Sequence, residues 1–227
     1  MANDMRAIDI MTSRVATLGP DATVEEIVRR LIDGRIGAMP VVDANGSVVG
    51  MVSDGDLIRR PELGTEGQPS WWSYMLDAPE ERTALYRKIH GRKAKDVMTS
   101  PVWTIEEHAT LTEIAELFST RRIKRAPVVR EGRLVGIVSR ENLLHGFAAS
   151  KAGKPVTAAD RKLRTAVSDG LADQPDVPDE FINVTVADGV VHLWGMVPTQ
   201  VHFDAARIAA EKAGARGVEN HLRVLSP

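Results

Sequence analysis

Two stretches of the chain, residues 9–59 and 96–147, repeat each other almost position for position. Met11-Thr12-Ser13 in the first stretch returns as Met98-Thr99-Ser100 in the second, an offset of 87 residues that falls to 86 after one loop residue is lost. A constant offset over so many positions indicates that one supersecondary unit was duplicated. We expect two such units to pack as a pair and the cleft between them to carry the function.

The composition is that of an ordinary globular protein with room for about two domains. The chain has 227 residues, of which 43% are hydrophobic and 26% charged, and no stretch approaches the ~20 apolar residues of a membrane span. A formal net charge of −2 gives no support to nucleic-acid binding, which usually requires a basic surplus. The absence of cysteine excludes disulfides and thiolate metal sites. We therefore expect a cytoplasmic protein without an export signal that does not bind nucleic acid.

Each repeat is predicted to fold as strand, helix, strand, strand, helix (β-α-β-β-α). Thr23 followed by Glu26 is a capping-box pattern that begins a helix, and Thr110 with Glu113 repeats it. Two short apolar runs separated by a turn follow in each copy, and a serine then leads into a short helix. The two α/β domains are assigned to residues 1–60 and 96–148.

The connection between the repeats, residues 61–95, is too long to be a structureless loop in a compact domain. Its sequence predicts two short helices that cap the paired repeats. The adjacent pair Trp71-Trp72 becomes a dimer contact if one of the two stays exposed.

A small α+β domain is predicted over residues 157–227, after a linker of small and basic residues at 149–156. Thr157 and Asp160 open its first helix. Asp188-Gly189 is a strong hairpin turn between two strands of alternating apolar residues. A second helix and a last strand complete the domain.

The junction between the last strand and the last helix of each repeat carries the predicted chemistry. In the first repeat Ser53 caps the helix, and Asp56 lies one turn further along the same face, where a carboxylate can accept both hydroxyls of a ribose. Phosphate bound at the helix start beside a ribose would indicate a nucleotide. On these residues alone, a nucleotide site and a capped helix with a solvated aspartate are equally good interpretations.

The paired repeats resemble the cystathionine-β-synthase (CBS) domain family, whose copies form a Bateman module. The resemblance covers nearly all of both repeats and is carried by the Met-Thr pair, the Pro-Val-Val strand and the Gly-x-x-Ser-x-x-Asp/Asn junction. It implies two clefts that bind AMP, ADP, ATP or S-adenosylmethionine as a regulatory ligand, with no obligatory cofactor. By position, the resemblance implies that Ser53 and Asp56 bind the ligand in one cleft and that Ser139 and Asn142 bind it in the other. An amide at Asn142 bonds a ribose without a charge-assisted contact, which favours the first cleft.

A second difference between the copies points to the same cleft. Lys124 and Arg125 precede the Ala-Pro of the second repeat, where the first repeat has Gly37 and Ala38. The resemblance implies that basic residues at these positions reach phosphates at the ribose site of the other copy. We therefore predict one competent cleft, at Ser53 and Asp56 with Lys124 and Arg125, and a weak or empty one at the other junction.

The C-terminal segment resembles the BON domain (bacterial OsmY and nodulation) from about Thr157 to Leu225. The resemblance is carried by Gly195 at the end of a strand and by the closing Gly-Val-x-Asn-x-Leu-x-Val of Gly217–Val224. It implies association with phospholipid or with a protein partner. Trp194 lies on the polar face of its strand and is predicted to be an exposed anchor.

No residue is predicted to be catalytic or to bind a metal. The six histidines are scattered without His-x-x-x-His spacing, and no nucleophile elbow or phosphate-binding loop occurs. We therefore predict a homodimeric regulatory protein, not an enzyme, in which an adenosine ligand alters what the C-terminal domain contacts. The alternative is a structural or envelope-tethering protein whose C-terminal domain binds phospholipid or a partner and whose clefts are vestigial.

Overall fold

The computed structural model describes residues 5–58, 90–149, 155–174 and 177–225, which form two compact units. The first-repeat unit is Ala16–Val102, and the second-repeat unit joins Met1–Val15 to Trp103–Pro227. Most of the predicted helical insert, including Trp71-Trp72, lies outside the described residues. Among the described residues no helix is long and apolar enough to cross a bilayer.

The described helices and strands are, in chain order, α1 (Ala7–Ile10), α2 (Val24–Asp33), β1 (Ala38–Val42), β2 (Val48–Ser53), α3 (Asp54–Ile58), α4 (Ala94–Val97), β3 (Ile105–Glu106), α5 (Leu111–Thr120), β4 (Arg125–Arg130), β5 (Arg133–Ser139), α6 (Arg140–Ala149), α7 (Ala158–Ala172), a 3-10 turn (Asp179–Phe181), β6 (Ile182–Ala187), β7 (Val190–Val197), α8 (Gln200–Lys212) and β8 (Gly217–Val224).

In the first-repeat unit, β1 and β2 form an antiparallel hairpin that packs against α2. The Thr23 hydroxyl accepts a hydrogen bond from the Glu26 backbone N–H at 3.2 Å, which confirms the predicted helix start. The predicted first strand is reduced to an isolated parallel bridge between Leu18 and Val41. The apolar core of this unit consists of Leu18, Ile27, Leu31, Met39, Val41, Val52, Leu57, Ala94 and Val97.

The second repeat forms the same hairpin from β4 and β5, and its first strand, β3, pairs in parallel with β4. Thr110 and Glu113 form a reciprocal capping box at the start of α5, as predicted. The β-α-β-β-α order is therefore confirmed in the second repeat, although the first strand is only two residues long. A four-residue helix lies at the start of each repeat, and the sequence pattern did not predict it.

This short helix packs into the core of the opposite repeat. Helix α4, from the second repeat, belongs to the first-repeat core, and Thr99 beyond it forms an antiparallel bridge with Met51. Helix α1, from the first repeat, belongs to the second-repeat core, and Thr12 pairs with Ile137. The compact units therefore exchange the N-terminal segments of the two sequence repeats.

The glycine of each junction makes room for the exchanged methionine. A side chain added at Gly50 would overlap the sulfur of Met98, and one at Gly136 would overlap the sulfur of Met11. Close packing leaves no space for an added methyl group without a shift of the neighbours. In each unit the glycine of one repeat thus packs against the methionine of the other repeat.

The C-terminal domain is a three-stranded sheet, in the order β6-β7-β8, with α7 and α8 on one face. Thr157 and Asp160 form the predicted capping box, and Asp188 and Gly189 both take the positive φ values, 53° and 71°, that a tight hairpin requires. Apolar residues of the helix-facing side form a core of their own. The opposite face of the sheet carries polar and aromatic side chains and meets α1 and α6, both in the second-repeat unit.

Candidate functional site

The junction of the first repeat holds the Asp56 carboxylate in a fixed orientation. One carboxylate oxygen accepts hydrogen bonds from the backbone N–H and the hydroxyl of Ser53, at 2.8 and 2.6 Å. The other accepts from the Thr99 hydroxyl at 3.2 Å. Thr99 comes from the Met-Thr-Ser of the second repeat, so the exchanged segment completes the junction. Sequence reasoning missed Thr99, although its place in the repeated motif was the available signal.

This first junction is partly accessible to solvent. Ser53 and Asp56 are half-buried, and Thr99 is exposed. A carboxylate that is oriented by three hydrogen bonds and reachable from water is suited to accept the hydroxyls of a ribose. The structure thus brings together two of the four residues predicted for the competent cleft, Ser53 and Asp56.

The junction of the second repeat has the same internal bonds but is closed. The Asn142 side-chain oxygen accepts from the Ser139 N–H and hydroxyl, at 2.8 and 2.7 Å. Its amide nitrogen donates to the Ile10 carbonyl at 3.1 Å and to the Thr12 hydroxyl at 3.4 Å. Asn142 is only 5% exposed. Both amide hydrogens have protein acceptors, so a ligand here would have to replace them.

The C-terminal domain holds the same stretch of backbone. The Asn183 amide, on β6, donates to the Ile10 carbonyl at 2.8 Å, so this carbonyl is shared between the junction and the C-terminal sheet. We call residues 5–13 the N-terminal segment. Its Asp9 carboxylate, 2% exposed, receives a bidentate pair from Arg161 on α7, at 2.8 and 3.0 Å.

A buried arginine completes this attachment. Arg164 on α7 donates to the Met11 carbonyl, to the Ser13 hydroxyl at 2.8 Å and to the Val184 carbonyl at 2.9 Å. Burial lowers the pKa of the Arg164 guanidinium to about 10, and the nearby Asp9 charge opposes this change. The guanidinium therefore remains charged at neutral pH and ties the N-terminal segment to both α7 and β6.

An aromatic stack joins the sheet to α6. Trp194 lies parallel to His145 of α6, with ring centres 4.4 Å apart, and parallel to His221 of β8 at 4.0 Å. The Trp194 indole N–H donates to the Thr185 hydroxyl at 3.0 Å. Burial lowers the pKa of His145, and a hydrogen bond with Asn183 partly offsets this effect. The prediction that Trp194 is an exposed anchor is wrong, because α6 covers the face of the sheet on which it lies.

Arg125 is the first residue of β4 in the second-repeat unit, and Lys124 immediately precedes it. Lys124 is exposed, and Arg125 is half-buried and paired in register with Ser139. Their predicted contact with phosphates bound at Asp56 stays a prediction.

The comparisons with known proteins agree with this architecture. A sequence model of the CBS domain matches residues 7–62 and 94–149, and a model of the BON domain matches residues 159–226. The chain is 31% identical over 135 residues to the chloroplastic CBS domain-containing protein CBSX1 of Arabidopsis thaliana, which covers 55% of this chain and 56% of that protein. It is 28% identical over 148 residues to CBSX2 of the same plant, and that match covers 60% of each protein.

Among solved structures, the crystal structure of CBSX2 in complex with AMP superposes with a TM-score of 0.56 at 29% identity. The match covers 64% of this chain and 98% of that one. The chain thus spans somewhat more than half the length of the two plant relatives. With two CBS domains and a C-terminal BON domain over most of its length, the chain belongs to the CBS domain proteins.

Proposed function

We propose that the chain is a cytoplasmic regulatory protein that binds an adenine nucleotide at Ser53 and Asp56. The observation that carries the proposal is the state of the Asp56 carboxylate, which is oriented by Ser53 and Thr99 and still accessible. The similarity to the AMP complex of CBSX2 supports an adenosine ligand. Lys124 and Arg125 are proposed to supply the phosphate contacts, which favours AMP, ADP or ATP over S-adenosylmethionine.

We also propose that the second junction is the weaker site. Asn142 uses its whole amide on Ser139, Ile10 and Thr12, and the BON domain holds the backbone beside it. A ligand at this junction would have to break several of these bonds before it gained its own.

The BON domain is proposed to respond to ligand binding by changing what it contacts. Its α7 and β6 hold the N-terminal segment, so a change in that segment would reach the BON domain directly. A ligand produces such a change only if it binds two arrangements with different affinity. The homodimer and the phospholipid or protein partner of the BON domain stay predictions.

Calorimetric titration of the full chain with AMP, ADP, ATP and S-adenosylmethionine tests the proposal. Asp56→Ala removes charge-assisted bonds to a ribose, worth about 1.5–3 kcal/mol, and should weaken AMP binding by roughly tenfold to a hundredfold. Asp54→Asn is the matched control, because Asp54 is an exposed acid on the same helix, bonded to the Gly55 N–H. The proposal fails if no adenosine ligand binds or if Asp56→Ala binds AMP as the wild type does.

The phosphate contacts have a separate readout. Replacing Lys124 and Arg125 by alanine should weaken ATP more than AMP and leave S-adenosylmethionine, which has no phosphate, unchanged. Equal effects on all three ligands would indicate a structural role for the two basic residues instead.

A further inference from the structure

Three potential metal ligands come together on the polar face of the BON sheet. Residues 192 and 219 are direct partners in the parallel pairing of β7 and β8, and residue 221 follows on the same face of β8 because side chains alternate along a strand. His192, Glu219 and His221 are thus adjacent through strand register, although the two histidines are 29 positions apart in the chain. Within the described part of the chain, these three side chains form a group whose ligand atoms all lie within 4.8 Å of one another, close enough to hold one metal ion.

The three donor atoms have the separations of a coordination polyhedron. Nδ1 of His192 lies 3.5 Å from Nε2 of His221 and 3.3 Å from a carboxylate oxygen of Glu219, and Nε2 of His221 lies 3.7 Å from the same oxygen. Ligand atoms about 2.0–2.2 Å from a tetrahedral Zn²⁺ are roughly 3.3–3.6 Å from one another. The triangle of donors therefore matches one face of a tetrahedron around a metal ion.

The two imidazoles are also oriented for chelation. Their planes differ by only 5°, and their ring centres are 5.7 Å apart. The lone pair of a ring nitrogen lies in the plane of the ring, and the two nitrogens face each other, so both lone pairs point into the same region. Trp194 stacks on His221 and is itself held by Thr185, which fixes the orientation of the more exposed of the two histidines.

Burial and charge define the chemistry of the site. The His192 side chain is 4% exposed, whereas those of His221 and Glu219 are 38% and 45% exposed. An ion would enter from the solvent side and keep a water at its fourth position. Two imidazoles and one carboxylate favour Zn²⁺ or a neighbouring first-row divalent ion over Mg²⁺ or Ca²⁺, which prefer oxygen ligands.

We propose that His192, Glu219 and His221 form a surface site for a divalent transition-metal ion, with Zn²⁺ as the ion that fits best. The proposal is independent of nucleotide binding, because all three ligands belong to the BON domain. It departs from the sequence-based expectation of no metal site, which considered spacing along the chain and not register between strands.

The test is Zn²⁺ retention by the full chain. The wild type should keep one equivalent of Zn²⁺ through dialysis against metal-free buffer, measured by elemental analysis. Loss of an outer-shell partner alone weakens metal binding about 10–100-fold, so His221→Gln and Glu219→Gln should each weaken it at least as much. His108→Gln is the control, since His108 is an exposed histidine of the second repeat, outside the cluster.

Glu219 is exposed, so Glu219→Gln keeps the test valid even where His221→Gln does not fold. A second measurement needs no variant: Co²⁺ added to the wild type should give the strong visible absorption of four- or five-coordinate Co²⁺. The proposal is overturned if the wild type retains no Zn²⁺, if both ligand variants retain it as well as the control does, or if bound Co²⁺ shows the weak spectrum of the aqueous ion.

Discussion

Asp9→Asn measures how strongly the BON domain is held on the N-terminal segment. Both carboxylate oxygens of Asp9 bond to Arg161, and one also accepts from the Arg6 backbone N–H at 2.9 Å. The sequence repeat supplies a matched control. Asp96 occupies the equivalent position and accepts from the Lys93 backbone N–H at 3.2 Å. Asp96→Asn therefore perturbs the helix start and the nearby Lys95, whereas Asp9→Asn perturbs the helix start and also removes a charge from the contact with the BON domain.

The two substitutions should differ clearly in stability. Breaking a buried ion pair by removing one partner costs about 3–5 kcal/mol. The asparagine keeps an acceptor, and the Arg161 side chain is 35% exposed and can regain water, so we expect about 2 kcal/mol for Asp9→Asn. Asp96→Asn should cost about 0.5–1 kcal/mol, as other capping changes do. In a chain of this size each kcal/mol lowers Tm by about 2–4 °C, which predicts a fall of about 4–8 °C against about 1–4 °C.

Thermal denaturation of the full chain, followed by circular dichroism, gives the comparison. A double-mutant cycle of Asp9→Asn with Arg161→Gln isolates the pair, and its coupling free energy should be about 1 kcal/mol or more. Equal Tm shifts for Asp9→Asn and Asp96→Asn, or strict additivity in the cycle, would refute the view that this pair fastens the BON domain.

Two further perturbations follow from the structure. Gly195→Ala should destabilise the BON domain by about 3 kcal/mol or more, because Gly195 has a φ of 127° and an added side chain would overlap the Phe181 carbonyl. Gly214→Ala is the control: Gly214 has a φ of 94° with open space around it, so this change should cost only about 1 kcal/mol of backbone strain. Equal losses of stability in denaturant titration would contradict this prediction. A hydrogen bond from Arg130 lowers the pKa of the buried Glu107 below its usual value of 4.5, and burial opposes this effect. The ionised Glu107 therefore stabilises the fold fully above pH 4.5, and this contribution is lost as the pH falls through the lowered pKa. The advantage of the wild type over Glu107→Gln, measured by urea denaturation, should therefore be constant near neutrality and shrink below about pH 4.5, and an advantage that grows in acid would contradict the assignment.

Local patterns carried most of the fold prediction. The capping residues Thr23, Thr110 and Thr157 and the turn at Asp188-Gly189 lie where the sequence placed them, because each acts on backbone groups within a few residues. The exchange of α1 and α4 was not predictable in this way. Met11 and Met98 stand in equivalent motifs, so nothing in the local pattern says which repeat receives each segment.

The candidate site was predictable only in part. Ser53 and Asp56 form one motif along the chain, so their contact followed from helix geometry. The contacts of Arg164, Trp194 and the histidine cluster depend on how the BON sheet pairs its strands and on what covers its second face. A residue on the polar face of a strand is predicted to be exposed when the element that covers this face is not known. Trp194 was predicted to be exposed for this reason, although His145 of α6 stacks on it.

The N-terminal segment is where the second junction and the BON domain act on each other. The Ile10 carbonyl accepts one hydrogen bond from Asn142 and one from Asn183, and Arg164 holds the next residue, Met11. A ligand that engaged Asn142 would withdraw its amide from Ile10 and Thr12 and so loosen the segment on which the BON domain rests. If such a ligand binds, linkage makes the effect reciprocal, and a firmly docked BON domain lowers the affinity of that junction by the same free energy. The single difference of aspartate against asparagine between the two junctions therefore goes with a difference in contacts: Asp56 is half-buried and bonds to Ser53 and Thr99, whereas Asn142 is buried and bonds to the Ile10 carbonyl and the Thr12 hydroxyl as well as to Ser139.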